Sequence, residues 1–254
     1  VDFAEVYRGY GEATIRVAET GLCVAEGFDK LAVTYERAWQ LEDPGDRADF
    51  AWLITRVLRP TVVHLGTPCT DMSVAGRKEI GDETQARNEL SEMILDHQES
   101  SGLFCSEENP KGSQLWKIRK EKYDEPKWRY FKLDGCQFNA TYPGEMKKGA
   151  PTLKGTVWLS NMDLGPMELR CRHPCSLQGA THVHEHLRGR DTVDGIRGVP
   201  IVEASGKYTK EQAAVYAMCV KNAVDSLPED SVDENKSTRL YELGKDSQTA
   251  KIPK

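Results

Sequence analysis

The sequence predicts an α/β fold built on a parallel sheet with helices on both faces. Two observations predict it. Strand-like apolar runs alternate four times with helix-spaced segments between residues 1 and 107. Glycine, proline or another turn residue marks nearly every change, as at Gly9, Gly21, Pro60, Gly66 and Gly102. In such sheets chemistry gathers in the crevice at the carboxyl ends of the strands.

The elements follow in order. Residues 1–7 read as a short strand, broken by Gly9 and Gly11. Ala13, Ile15, Val17 and Ala18 then repeat at helical spacing, up to Gly21. Residues 22–29 read as the next strand, with Asp29 at its end, and residues 31–39 as a helix. Residues 43–46 read as a turn. Residues 47–58 put Phe50, Leu53, Ile54 and Val57 on one helical face, and Pro60 ends the run. Residues 61–66 read as a central strand, 83–100 as a long helix and 103–107 as another strand. Beyond Trp116 the regularity weakens, although 132–139 and 155–161 are strand-like. Residues 161–200 are irregular and rich in Cys, His, Gly and Arg. Residues 209–227 read as a helix with Thr209 as N-cap. From Pro228 the chain is polar and expected to be loosely ordered.

Composition narrows the function. The chain has 254 residues, 39 % hydrophobic and 29 % charged, enough apolar material for a core. Its formal net charge of −6 is not the footprint of a strong nonspecific nucleic-acid binder. A local basic face remains open in residues 116–132, where Trp116, Tyr123, Trp128 and Tyr130 alternate with Lys and Arg. Such interleaving can stack on a nucleic-acid strand, but a surface with buried aromatics is the commoner origin. No apolar run approaches the roughly 18 residues a membrane span needs. The start shows no signal-peptide pattern, and a first residue of Val suggests an excised domain or processed chain. Seven irregularly spaced cysteines point to a reducing compartment rather than a disulfide framework.

Three post-strand loops carry chemistry-bearing residues. The first, residues 5–13, is a glycine-rich turn whose Gly9 and Gly11 let the backbone approach a ligand, and Asp29 ends the next strand. A tight turn of any α/β protein would look the same. The second presents Cys69 after Thr67 and Pro68, among Thr, Asp and Ser. A free cysteine is usually a small buried hydrophobe, but these neighbours suit a displayed thiol able to act as nucleophile. The third, residues 106–113, holds Glu107 and Glu108, which face opposite ways if strand geometry persists. One of them then shares a cleft with Cys69. A solvated acidic turn is the plainer alternative.

Together these segments resemble the cytosine-5 DNA methyltransferase family, especially its divergent members associated with mobile elements. The likeness runs in order over about the first 160 residues: EVYRGYGEATIRVAETG, CVAEGFDKLAVTYERA, GTPCTDMSVAGR, EENP and GAPTLKGTVWL. It implies a Rossmann-like S-adenosylmethionine-dependent methyltransferase fold. It implies Cys69 as nucleophile, Glu108 as acid and Lys154 in an arginine's place. Tyr7, Gly9, Gly11, Asp29, Asp43 and Pro68 would line the cofactor pocket. The implied partner is DNA, with RNA open, and no membrane. The implied location is intracellular, nuclear in a eukaryote. The sequence departs from the family pattern at several points: Gly27 stands where a ribose-binding Glu is usual, Pro110 for Val, Thr152 for Gln and Thr156 for the second Arg. The closing Gly-Asn signature is absent.

The expected organisation is a catalytic core over 1–160, a compact Cys/His-rich recognition-like insertion over 161–204, a returning helix over 205–227 and a polar tail over 228–254. In the insertion, Cys171 and Cys175 precede His182 and His184, and a Cys-x3-Cys pair followed by His-x-His fits tetrahedral zinc. A polar loop whose histidines meet phosphate or water is the alternative. Three functional classes follow: a cytosine-5 methyltransferase, a catalytically impaired interaction module of the same fold, and an unrelated cysteine hydrolase. The last requires a histidine beside Cys69, and His64 inside the preceding strand is poorly placed for it.

Overall fold

A computed structural model describes residues 1–30, 33–69, 72, 80–123, 126–171, 175–177 and 180–228. The side chains of 175–177, 180–182, 202 and 203 lie outside that description, as does the tail from 229. In chain order the elements begin with β1 (Phe3–Val6) and α1 (Glu12–Glu19). A small hairpin follows, β2 (Val33–Thr34) and β3 (Arg37–Ala38), then α2 (Pro44–Trp52) and β4 (Val62–Leu65). Next come α3 (Asp82–Ser100), β5 (Phe104–Pro110), α4 (Leu115–Lys120), β6 (Arg129–Asp134) and β7 (Gly155–Ser160). Two further hairpins, β8 (Cys175–Leu177) with β9 (Ala180–His182) and β10 (Arg190–Val193) with β11 (Ile196–Pro200), lead to α5 (Ile201–Ala204) and α6 (Lys210–Asp225).

The main sheet runs β1-β4-β5-β7-β6. β1, β4 and β5 are parallel, whereas β7 returns antiparallel between β5 and β6. The α/β class therefore stands, but the sheet is mixed rather than wholly parallel. One apolar face (Ala4, Val6, Val63, Leu65, Cys105, Val157, Leu159) packs with Phe50 of α2 and Leu90, Ile94 and Leu95 of α3. The other (Phe3, Val62, Phe131, Leu133, Trp158) packs with Ala13 and Val17 of α1 and Tyr216, Ala217 and Val220 of α6. Each fully buried Val, Leu, Ile or Phe among them contributes about 1.5–3 kcal/mol. Thr209 caps α6, its hydroxyl accepting from the Gln212 amide at 3.0 Å.

Several expected elements differ. Residues 22–29 form no regular strand but run beside β1, with parallel bridges at Phe3–Val24 and Val6–Phe28 and backbone hydrogen bonds such as the Phe28 amide to the Glu5 carbonyl at 2.9 Å. Of the helix expected over 31–39, residues 33–38 form the β2–β3 hairpin, whose turn residues Tyr35 and Glu36 have φ of 49° and 66°, while 31 and 32 lie outside the described residues. Positive φ at both turn positions matches the twist of a two-residue hairpin. The turn expected over 43–46 opens α2: Asp43 accepts from the Gly45 and Asp46 amides, and Pro44 takes the first position. The second half of that helix, Leu53–Leu58, winds as a π-helix. Residues 135–138 form a 3₁₀ turn after β6 instead of prolonging the strand. Among the described residues, no helix is long and apolar enough to cross a membrane.

Candidate active site

The carboxyl ends of β1, β4 and β5 lie side by side, because Glu5 pairs with His64 and Leu65 with Glu107. The turn after β1 needs left-handed backbone at Gly9 (φ 54°) and Gly11 (φ 70°). Asp29 braces it, accepting from the Gly9 amide at 3.0 Å. Glu5 accepts from both the amide and the hydroxyl of Thr14, tying β1 to α1. Burial pushes the Glu5 carboxyl up to about 7, against those hydrogen bonds.

Space over Gly9 is open. Over Gly11 and Gly27 it is not: a methyl group on either would collide with the Arg8 side chain, which lies across both. The Arg8 Nε is buried with no hydrogen-bond partner. Tyr7 is half-buried against the first core, with its hydroxyl on the side of Ser91. Asp43 is exposed, with its carboxylate on the cap of α2.

The loop after β4 is held tightly. A side chain at Gly66 would meet the Tyr7 carbonyl oxygen at 3.0 Å, so glycine lets the two loops lie this close without a shift. The Thr67 hydroxyl donates to Glu107 at 2.8 Å, and the Thr67 carbonyl accepts from the Asn109 amide at 2.7 Å. Glu107 is fully buried and pairs with Arg119 of α4 through bonds of 2.6 and 3.0 Å. These anchors fix the half-buried Pro68 and Cys69 that follow.

Glu108 turns the other way. It meets Tyr208, which lies just before α6, at 3.5 Å, and it is charge-coupled to Lys154 and Cys69. Lys154 lies just before β7 with φ of 31°, and its ammonium donates to the Lys207 carbonyl at 3.0 Å. Burial raises the Glu108 carboxyl, while Lys154 and Tyr208 pull it down. Burial also raises the Cys69 thiol, helped by the Glu108 charge and opposed by Lys154. Lys154 is itself lowered by burial against the charges of Glu108 and Cys69. A thiol, a carboxyl and an ammonium thus share one environment.

His64 is wholly buried and stacks on Trp158 at 4.7 Å. Its ring nitrogens meet Ser106 and Tyr208, each at 2.9 Å, and burial lowers it to about 3. Being neutral and committed to those two hydroxyls, it is not a base for Cys69. The cysteine-hydrolase reading loses its histidine among the described residues.

Other expected positions fall elsewhere. Thr152 and Thr156 are buried, and the Thr156 hydroxyl has no hydrogen-bond partner. Arg170, a candidate to stand in for the missing arginine, is instead paired with Asp134 at 3.0 Å. Trp116, Tyr123 and Trp128 are buried, with polar atoms bound to Pro110, Asp96 and Glu99, so they offer no stacking face. Cys171 Sγ lies 3.5 Å from His184 Nε2. The side chains of Cys175 and His182 lie outside the described residues. Sequence reasoning missed Arg8, Arg119, Cys136 and Tyr208. For Tyr208 a faint signal existed, since it directly precedes the Thr209 cap.

No family model matches the chain. No curated protein matches it either. Among solved structures, it is similar to a protein described as a DNA modification methyltransferase encoded within an E. coli prophage. The identity there is 16 % and the TM-score 0.35, covering 65 % of this chain and 49 % of that one. It is also similar to a mutant of DNMT2 from Spodoptera frugiperda, with 16 % identity and a TM-score of 0.34, covering 63 % and 49 %. The chain spans about half the length of these structures.

Proposed function

We propose that this chain is the catalytic region of a cytosine-5 DNA methyltransferase that works through a covalent Cys69 adduct. One observation carries the reading: Cys69 on the loop after β4, Glu108 on β5 and Lys154 just before β7 meet in one charged environment at the strand ends where the open Gly9 turn also lies. The ordered resemblance of five sequence segments supports it as well.

S-adenosylmethionine, bound at the β1 turn, would supply a methyl group as an electrophile. The residues present fit such a group. Gly9 leaves open space, and Arg8 is a flexible side chain whose buried Nε lacks a partner and can turn aside. Tyr7, Gly9, Gly11, Asp29, Asp43 and Pro68 would hold the cofactor, with Arg8 available to its carboxylate.

Cys69 loses its proton, and its sulfur adds to carbon 6 of an extruded cytosine. Glu108, whose carboxyl burial raises, would share a proton with ring nitrogen 3, so that electron density reaches carbon 5. Lys154 favours the charged forms of both Cys69 and Glu108. After methyl transfer a base removes the carbon-5 proton. The Cys69 sulfur then leaves with its bonding pair as the ring double bond reforms, and nitrogen 3 returns its proton.

A second reading, a binding module that has lost turnover, is favoured by Arg8 lying over Gly11 and Gly27. Trapping decides between them. Duplex DNA containing 5-fluorocytosine, incubated with S-adenosylmethionine, is expected to give a covalent protein–DNA adduct that Cys69→Ser abolishes. Cofactor binding with no adduct from wild-type protein overturns the enzyme reading in favour of the module. Adduct only with fluorinated RNA reassigns the substrate.

A further inference from the structure

We infer that Cys136 of the core, together with Cys171 and His184 of the Cys/His-rich insertion, holds a structural zinc ion. One ligand atom from each lies within 4.8 Å of the others. The separation of Cys171 Sγ and His184 Nε2 is 3.5 Å. Zinc bonds of about 2.3 Å to sulfur and 2.0–2.1 Å to nitrogen at a tetrahedral angle put the two atoms about 3.6 Å apart. Two thiolates and an imidazole select zinc over harder cations.

The backbone around each ligand is already fixed. Asp134 accepts from the Cys171 amide at 2.8 Å and from Arg170 at 3.0 Å. Glu185, next to His184, donates its amide to Pro151 at 2.8 Å and bridges to Thr152. The Gln137 side-chain amide points at Cys136 Sγ from 3.7 Å, as suits a thiolate. Cys136 sits buried in the 3₁₀ turn after β6.

The region also needs such a pin. Between residues 168 and 200 no described apolar side chain is buried, and Leu169, Val183 and Ile196 are exposed. A segment without its own core gains its order from a metal. A closed structural site takes four ligands. The three ligands named here leave one position for a fourth donor. The ligand set thus differs from a site contained within the insertion alone: it ties the insertion to the main sheet.

The test uses the full chain without a histidine tag. Elemental analysis is expected to find about one zinc per chain. Cys136→Ser, Cys171→Ser and His184→Ala should each lose it, whereas Cys219→Ser, on α6, should keep it. Zinc retained by Cys136→Ser overturns the bridging site. So does a zinc-free wild type, whether Cys136 and Cys171 are then free thiols or a disulfide. Should Cys136→Ser fail to fold, alkylation of the wild type mapped by mass spectrometry decides. Cys136 and Cys171 are expected to be protected until a chelator is added. Labelling of Cys171 at the same rate with and without chelator refutes the site.

Discussion

Lys154 acts on two groups to which the proposed mechanism assigns opposite protonation states. Its charge holds down both Cys69 and Glu108. On the proposed mechanism, adduct formation needs the Cys69 thiolate, which appears as pH rises, and the Glu108 acid, which disappears as pH rises. A bell-shaped profile follows. In Lys154→Gln both groups titrate higher, so both limbs of the trapping profile should move to higher pH. At pH 7 the rate should fall on the order of tenfold, because less thiolate is present. Lys154→Arg should restore the original limbs. A lower rate with unmoved limbs would show that Lys154 only shapes the loop. Alternation along a strand is legible in sequence, and it separates Glu107 from Glu108 without coordinates. Neither Arg8 nor Tyr208 could be placed that way. Arg8 reaches across to Gly27, and Tyr208 reaches Glu108 from a hundred residues away.

At the scale of elements, the loop carrying Cys69 depends on α4 being fastened to β5. Arg119 and Glu107 are both fully inaccessible and share two hydrogen bonds, and Glu107 also takes the Thr67 hydroxyl. Arg119→Leu strands a buried carboxylate and should cost about 3–5 kcal/mol in urea unfolding. Adding Glu107→Leu should recover most of it, since an apolar pair of similar volume is often neutral. A single-variant loss under about 1 kcal/mol, the range of an exposed pair, would show that the pair is hydrated. Apolar runs made β1, β4 and β5 readable. The direction of β7 was not, because no local pattern encodes it. The β2–β3 hairpin lacked the usual Asn-Gly marker. It is held instead by Glu26 and Tyr35 bonding each other's amides, and by the Trp39 indole donating to Thr34.

For the whole molecule, two buried groups on one row of the sheet set opposing pH dependences. Glu5 titrates at about 7 when folded against 4.5 ordinarily, so its contribution is full below 4.5 and is lost as pH rises toward 7. His64 titrates at about 3 against 6.5, so its contribution is full above 6.5 and is lost as pH falls toward 3. Between about pH 5 and 6.5 each changes stability by about 2 kcal/mol, in opposite senses. Wild-type stability should therefore be nearly level across that window. Glu5→Gln keeps an acceptor for Thr14 but removes the titration. Its urea stability should rise by about 2 kcal/mol from pH 5 to 6.5. A level variant would mean that His64 is not held neutral. Glu5 pairs with His64, and His64 with Ser106, through the parallel register.

That register has a further consequence for how this chain can change. β5 is clamped between β4 and β7, with Glu107 facing Arg119 and Glu108 facing Tyr208. One residue inserted or deleted there would exchange the faces of everything beyond it. The carboxyl beside Cys69 would be turned toward α4, and the ion pair would be broken in the same step. Length variation should be confined to the connecting loops, while β5 can change only by substitution.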